Sequence, residues 1–396
     1  MNQKTDRRSF LLGSAAAASP LLPATPAPGP EIRAGFIGVG VRGGNLLKQS
    51  LLVENVKVHA ICDIDPQTRD QALSAASRDQ PRSLTEWKRM LDLKEVEAVF
   101  LATPCDQHAE MAAACLEAGK YVYCEKPLGI TPEQVDRVLR AARRSKTFLQ
   151  IGQQLRYFPT MREAIDQIHN GLLGRSYVIK AHRHGGRSRP SSGGPEPTPQ
   201  QKTRTAWYAD VKHSGDLIVE NAVHNIDACN WIANSRPASA YGHGKKYFPE
   251  PIPPGTVMMD GFSVEYIYDN DMHCDYSQLS FHPRNLKTVP SGMWYTVFGE
   301  KGSVYLTHSS ATFYDIYGEG ERDILGASKE QTETLKQLGF REGDSAVRDF
   351  IACVRENRQP FADIRVAATA ALTAILGREA IYKRRSVAWK ELGVEV

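Results

Sequence analysis

The sequence lacks the features that would mark a chain held by disulfides or sunk in a membrane. Its seven cysteines (Cys62, Cys105, Cys115, Cys124, Cys229, Cys274, Cys353) are scattered through 396 residues, odd in number and without one C-x-x-C pair. That excludes a disulfide framework. Charge of one sign is also scarce. The net charge is +4, and Lys4, Arg7 and Arg8 less Asp6 supply +2 of it, leaving +2 for the rest of the chain. So small a surplus argues against a nucleic-acid partner. The first apolar run, Phe10 to Leu22, is too short to span a bilayer stably. No internal repeat is visible. His182, His184 and His213 have no carboxylate or cysteine at ligand spacing, so no metal is expected.

What is present is the composition of a globular protein, with hydrophobic residues at 41% and charged residues at 24%. The length exceeds what one core usually organises, and two domains are the starting expectation. Asp6-Arg7-Arg8-Ser9-Phe10-Leu11-Leu12, an apolar run and the charge-free, Pro-rich stretch to Pro30 resemble a twin-arginine signal peptide. The resemblance implies a signal and linker over residues 1–30, the twin-arginine export machinery as a partner, and a periplasmic or otherwise extracytoplasmic address reached in the folded state. Ala16 to Ala18 and Ala24 to Ala27 both offer small residues for cleavage.

From Ile32 short apolar runs alternate with amphipathic segments, the pattern of a parallel sheet with crossover helices. Strands are predicted at Ile32–Gly38, Val56–Asp63, Ala98–Ala102, Tyr121–Cys124 and Phe148–Gly152. Helices are predicted at Arg42–Val53, Pro66–Arg78, Leu84–Asp92, Gln107–Ala118 and Thr131–Ser145, the last with a Thr131 cap and Pro132 in its first turn. Residues 31–152 therefore read as a doubly wound α/β domain. Residues 153–396 read as an α+β domain with a large, mostly antiparallel open sheet. One continuous helix is expected over Asp216–Ala233, further helices at Met161–Asn170, Asp344–Asn357 and Ile364–Lys383, and a long loop at Gly185–Pro199.

Gly38-x-Gly40-x-x-Gly43 follows the first predicted strand and opens the first helix. Glycines there permit a tight turn, close approach of a pyrophosphate and close helix packing, while free amides at the helix start, from Val41 and Arg42 onward, bind the anion. Asp63 ends the second strand, placed to accept hydrogen bonds from the adenosine ribose hydroxyls. The pattern points to a nicotinamide or flavin dinucleotide. Asp63 repels a 2′-phosphate, which favours NAD over NADP, with Arg69 and Arg78 acting against that preference. Thr103 and Pro104 end the third predicted strand at the carboxyl edge, His108 follows, and Glu125-Lys126-Pro127 ends the next strand.

With Thr103-Pro104-x-x-x-His108, Glu125-Lys126-Pro127 and Gly215-Asp216-x-x-x-Glu220-x-x-x-His224-x-x-Asp227, the chain resembles the Gfo/Idh/MocA family of glucose–fructose oxidoreductases and inositol dehydrogenases. The resemblance implies a Rossmann domain, an NAD(P)-dependent oxidoreductase and a homodimer or homotetramer. It also implies a catalytic set of Lys126, His224 and Glu220, with Glu125 and Lys126 also beside the cofactor. A histidine suits removal of a hydroxyl proton, and the Lys126 ammonium suits an oxygen gaining negative charge. Residues four apart share a helix face, so Glu220 and His224 are expected to project together, Glu220 orienting the imidazole or binding a hydroxyl. Glu220 departs from the family's more usual aspartate. Gln153, Arg156, Tyr157, His182, Trp207, Tyr208 and Asp227 are the expected walls of a carbohydrate pocket.

The leading expectation is thus an exported oxidoreductase acting on a sugar, polyol or glycoside hydroxyl, with a tightly held and recycled cofactor. An NAD-dependent glycosidase that oxidises its sugar transiently, of the α-N-acetylgalactosaminidase kind, uses the same groups. A noncatalytic sugar sensor or assembly factor is the third possibility, and the intact Lys126 and His224 argue against it.

Overall fold

The computed structural model describes residues 29–186, 206–248, 252–283, 285–337 and 344–396. The signal-like segment to residue 28 and most of the expected Gly185–Pro199 loop lie outside them. Six strands, β1 (Ile32–Ile37), β2 (Val56–Cys62), β3 (Arg82–Leu84), β4 (Ala98–Leu101), β5 (Tyr121–Cys124) and β6 (Leu149–Ile151), form a parallel sheet in the order β3-β2-β1-β4-β5-β6. Strands β4 to β6 are buried at every position but Tyr121, as sheets covered on both faces require. The crossovers carry helices α1 (Val41–Leu51), α2 (Pro66–Ala75), α3 (Lys88–Leu91), α4 (Cys105–Glu117) and α5 (Pro132–Arg144). Thr131 caps α5 by accepting from the Gln134 amide, with Pro132 in the first turn, as the sequence indicated. The strand order reverses between β1 and β4, which opens a crevice at the carboxyl edge there.

The second lobe is a nine-stranded sheet of β7 (Ser176–His184), β8 (Pro237–Lys245), β9 (Gly261–Tyr268), β10 (His273–Leu279), β11 (Gly292–Gly299), β12 (Gly302–Leu306), β13 (Ala311–Asp315), β14 (Glu321–Asp323) and β15 (Val387–Ala388). Its order is β14-β13-β12-β11-β7-β10-β9-β8-β15, antiparallel except for β7 beside β10. Helix α6 is Pro159–His169, and the predicted Asp216–Ala233 helix is instead broken. Short α7 (Val211–Ser214) and α8 (Leu217–Glu220) precede α9 (Val223–Ala233), with Asn221 and Ala222 as the link. Asp216 starts α8. It holds a positive φ of 80°, and its buried carboxylate accepts from the amides of Leu217 and Met259 and from the Tyr382 hydroxyl. A helix α10 at Ala327–Gln337, absent from the sequence reading, precedes α11 (Ser345–Glu356) and α12 (Ile364–Lys383).

Period-two alternation sorts the sheet's faces. Tyr266, Tyr276 and Tyr295 are fully buried on the helix side, where Tyr295 accepts from the Asn225 side chain of α9. The other face carries exposed Tyr241, Ile267, Phe298 and the Lys180–Asp275 pair. The two lobes are joined through α12, where Arg378 donates to the carbonyls of Ile130 and Gly215. All seven cysteines are buried and unpaired, which agrees with packing roles, and burial pushes the Cys105 thiol up to about 12. Among the described residues no helix is long and apolar enough to cross a membrane.

Candidate active site

The nucleotide end is built by three glycines with three different surroundings. Gly38 has φ +76°, and a Cβ on Gly43 would lie 1.9 Å from the Gly38 carbonyl oxygen, so the loop and α1 pack only without side chains. Around Gly40, by contrast, a Cβ would meet nothing within 4 Å. That open space lies over the start of α1, which has no side-chain cap and no acidic residue in its first turn. Its first amides are therefore left for an anion. Val41 and Ile64 flank the loop at 86% and 87% exposure, an apolar pair that a flat ring would cover. The Asp63 carboxylate accepts from the amides of Val39 (2.8 Å) and Asp65 (2.9 Å). A carboxylate has about four acceptor positions, so capacity remains for ribose hydroxyls. The residues fit a dinucleotide.

The other end is where the ends of β4 and β5 meet α8 and α9. Lys126 donates to the Glu220 carbonyl (2.6 Å) and carboxylate (2.7 Å), with side-chain exposures of 14% and 10% for the pair. Burial is the largest influence and lowers the lysine pKa, but the charge and hydrogen bond of Glu220 with the smaller contributions of Cys105 and Glu125 together outweigh it, so the net direction is upward and Lys126 stays an ammonium. Arg42 reaches from α1 to the buried Glu125 at 2.6 Å, and this second pair holds the floor between loop and motif. Thr103 and Pro104, partly exposed, complete the carboxyl edge.

His224 is set by Gln153. The Gln153 amide nitrogen donates to the Val223 carbonyl (3.5 Å), which leaves its oxygen toward His224 Nδ1 at 2.9 Å. An oxygen there must accept, so Nδ1 carries the proton and Nε2 keeps its lone pair. Among the described residues no protein group bonds Nε2, and it is not sealed from solvent. Burial, then the charges of Lys126, Arg183 and Arg42, drive the imidazole pKa well below its usual value. The result is a neutral imidazole beside a fixed ammonium, two groups pushed apart in opposite directions.

Several expected contacts are corrected. His108 is buried with both ring nitrogens 2.8 Å from backbone carbonyls, those of Pro127 and Thr103, so it clamps the crevice's two motifs together and faces no cofactor. Arg156 and Asp227 form a sealed bidentate pair (2.8 and 2.9 Å), with Arg156 also over the rings of Trp231 and Phe361. Tyr157 is buried against Asp349. None of these three reaches the crevice. His182 lies on the sheet's open face, stacked between His184 and Trp294, because β7 turns Ile179, Ala181 and Arg183 toward the helices and the even residues away. Glu220 does not orient His224, since its carboxylate accepts from Lys126 while Gln153 holds the imidazole Nδ1. Of the remaining walls, Tyr208 faces Glu220 and Asn221, burial and the Glu220 charge raising its pKa, while Trp207 packs partly against the core. His213 bonds Asp106 at 2.8 Å, joining α7 to α4. The one His-and-carboxylate cluster among the described residues, Glu265, His273 and Asp275, sits on the open face away from the crevice.

Residues 32–153 match the model described as "Oxidoreductase family, NAD-binding Rossmann fold", and residues 165–389 match its companion, "Oxidoreductase family, C-terminal alpha/beta domain". The chain belongs to the Gfo/Idh/MocA oxidoreductase family. A glycosyl hydrolase family 109 protein of Stenotrophomonas maltophilia is 31% identical over 60% of this chain, the alignment spanning 57% of that relative. Inositol 2-dehydrogenase of Salmonella typhimurium is 29% identical over 62% of the chain and 70% of the enzyme. Among solved structures, a levoglucosan dehydrogenase in complex with NADH superposes with a TM-score of 0.74 over 90% of this chain and 99% of that one, at 18% identity.

Within this Gfo/Idh/MocA oxidoreductase, sequence reasoning missed Arg183 and Ile64. A signal for Arg183 was present, because Ile179 and Ala181 fix which β7 residues face inward and Arg183 continues their phase. Ile64 stands beside Asp63 and carried no signal beyond being an apolar residue after a strand.

Proposed function

We propose that the chain is an exported, NAD-dependent oxidoreductase acting on a secondary hydroxyl of a sugar, polyol or glycoside, with its cofactor tightly held and recycled. The observation that carries this reading is the Gln153–His224 hydrogen bond, which leaves Nε2 as an acceptor next to the Lys126 ammonium. His224 Nε2 takes the hydroxyl proton, and Lys126 donates to the same oxygen as negative charge develops there. Glu220 holds the lysine in place through two acceptors. Bound NAD would supply the hydride acceptor, held by Gly38, Gly40, Val41, Arg42, Gly43, Asp63, Thr103 and Pro104. Asp63 at the end of β2 supports NAD over NADP, since a 2′-phosphate there meets a carboxylate. Export rests on Arg7-Arg8 ahead of an uncharged run.

The similarity to a glycosyl hydrolase family 109 protein favours a second reading, net glycoside cleavage through transient oxidation. Protein purified without added cofactor, then denatured, is expected to release stoichiometric NAD(H) by mass spectrometry. Turnover of p-nitrophenyl glycosides without net NADH would select the glycosidase, and exchange between two sugars the recycled oxidoreductase. An empty protein that forms NADH only with added NAD would contradict the retained cofactor. Replacing Arg7 and Arg8 by lysine should hold the protein in the cytoplasm, and unchanged export would remove the signal assignment.

A further inference from the structure

We propose that Arg183 makes this site selective for carbohydrates bearing a carboxylate, such as uronates and aldonates; this rests on the oxidoreductase reading above and names its substrate class. Three cations stand at the site, and two are matched: Lys126 by Glu220 and Arg42 by Glu125. Arg183 is half-buried and forms no ion pair among the described residues. Its one hydrogen bond, at 3.4 Å, goes to the carbonyl of Asn221, the residue that links Glu220 to the helix of His224. Its cross-strand neighbours in register are Gln278 on β10 and Met293 on β11, neither of them acidic. Gln278 is itself committed, donating to the Asn221 side chain and accepting from the Tyr276 hydroxyl, both at 2.8 Å.

A half-buried guanidinium with unfilled donors is costly to hold, and a ligand that neutralises it recovers that cost. The planar fork suits a carboxylate, which it binds through two parallel hydrogen bonds. The site carries a surplus of one positive charge, which a monoanion balances and a phosphate ester, closer to two negative charges at neutral pH, overfills. Arg183 also adds to the field that keeps His224 neutral. An anion bound on Arg183 is therefore placed next to the groups that act on a hydroxyl, which puts the carboxylate and the reacting carbon on one small molecule.

The test is calorimetric titration of the NADH-loaded protein with D-glucuronate, D-galacturonate and D-gluconate, against D-glucose, D-galactose and glucose 6-phosphate. At least one acid is expected to bind about 10-fold or more tightly than its neutral counterpart, the effect of charge-assisted hydrogen bonds. Arg183→Met should abolish that ratio and Arg183→Lys restore part of it, with NADH fluorescence titration checking that each variant is folded. Neutral sugars binding as tightly as the acids, tighter binding of glucose 6-phosphate, a ratio unmoved in Arg183→Met, or no binding by any of the six would overturn the proposal. NADH formed from a neutral sugar while acids gain nothing leaves the oxidoreductase standing and removes the carboxylate. Arg183-dependent acid binding with no NADH formation, no redox exchange between two sugars and no glycoside cleavage keeps the carboxylate and removes the oxidoreductase.

Discussion

Two buried ion pairs, Lys126–Glu220 and Arg156–Asp227, are alike in length and opposite in situation. Arg156 gives Nε and one Nη donor to the two oxygens of Asp227, its guanidinium packed on the rings of Trp231 and Phe361, so that both carboxylate oxygens are engaged. Lys126 spends two donors on one residue, Glu220, and keeps a third at the crevice edge. The first pair closes on itself away from the crevice and joins the segment after β6 to α9; the second leaves one ammonium donor open at the crevice. A buried charge pair is weak evidence of function until it is known whether its unused donors face a crevice or the packed interior.

The contrast is sharpened most by Lys126→Met. It should lower kcat/KM by about 10³-fold, the loss of a charge donor at a developing oxyanion, with circular dichroism unchanged. Asp227→Asn should instead act on folding, costing about 3–5 kcal/mol because it strands Arg156 in the interior, as read by urea denaturation. If Asp227→Asn left stability intact and removed activity, the two pairs would have exchanged roles. Gln153→Leu should cost about 10-fold or more in kcat, because the imidazole is then free to turn its proton toward the substrate. Gln153→Glu should raise the His224 pKa and carry the acid limb of kcat/KM to higher pH. In the unaltered protein that limb should lie below pH 6.5, since the His224 pKa is lowered and protonation, which removes the base, comes only in more acidic solution. The smallest effect is expected for His182→Phe, on the far face of β7, with kcat/KM within about threefold of the original, as for sites that share no partner.

The nucleotide end was legible because its signals are local: glycines at fixed offsets, a strand before and a helix after, and Asp63 at the next strand's end. The chemistry end was legible only in part. Lys126 and His224 were found through motif resemblance, while Glu220 was assigned to His224 rather than to Lys126 and Gln153 was read only as a pocket wall, because the interruption at Asn221 and Ala222 and the pairings across the crevice are long-range. Nothing in the spacing alone distinguishes a four-residue turn within a helix from one across a break. Arg156, Tyr157 and Asp227 read as pocket walls because burial by the C-terminal helices is a long-range property, set by residues such as Asp349 and Phe361 nearly two hundred positions away. The phase of β7 was readable from Ile179 and Ala181, and the histidines drew attention away from it.

The state of His224 itself is the most direct thing to measure. Long-range proton–nitrogen correlation spectra of histidine-labelled protein, followed through a pH titration and assigned with His224→Gln, report tautomer and charge without any substrate. The expected result is an Nδ1-protonated, neutral imidazole that stays neutral as pH falls through the ordinary histidine value of 6.5. An Nε2-protonated ring, or an imidazolium already formed at that pH, would contradict its assignment as the base.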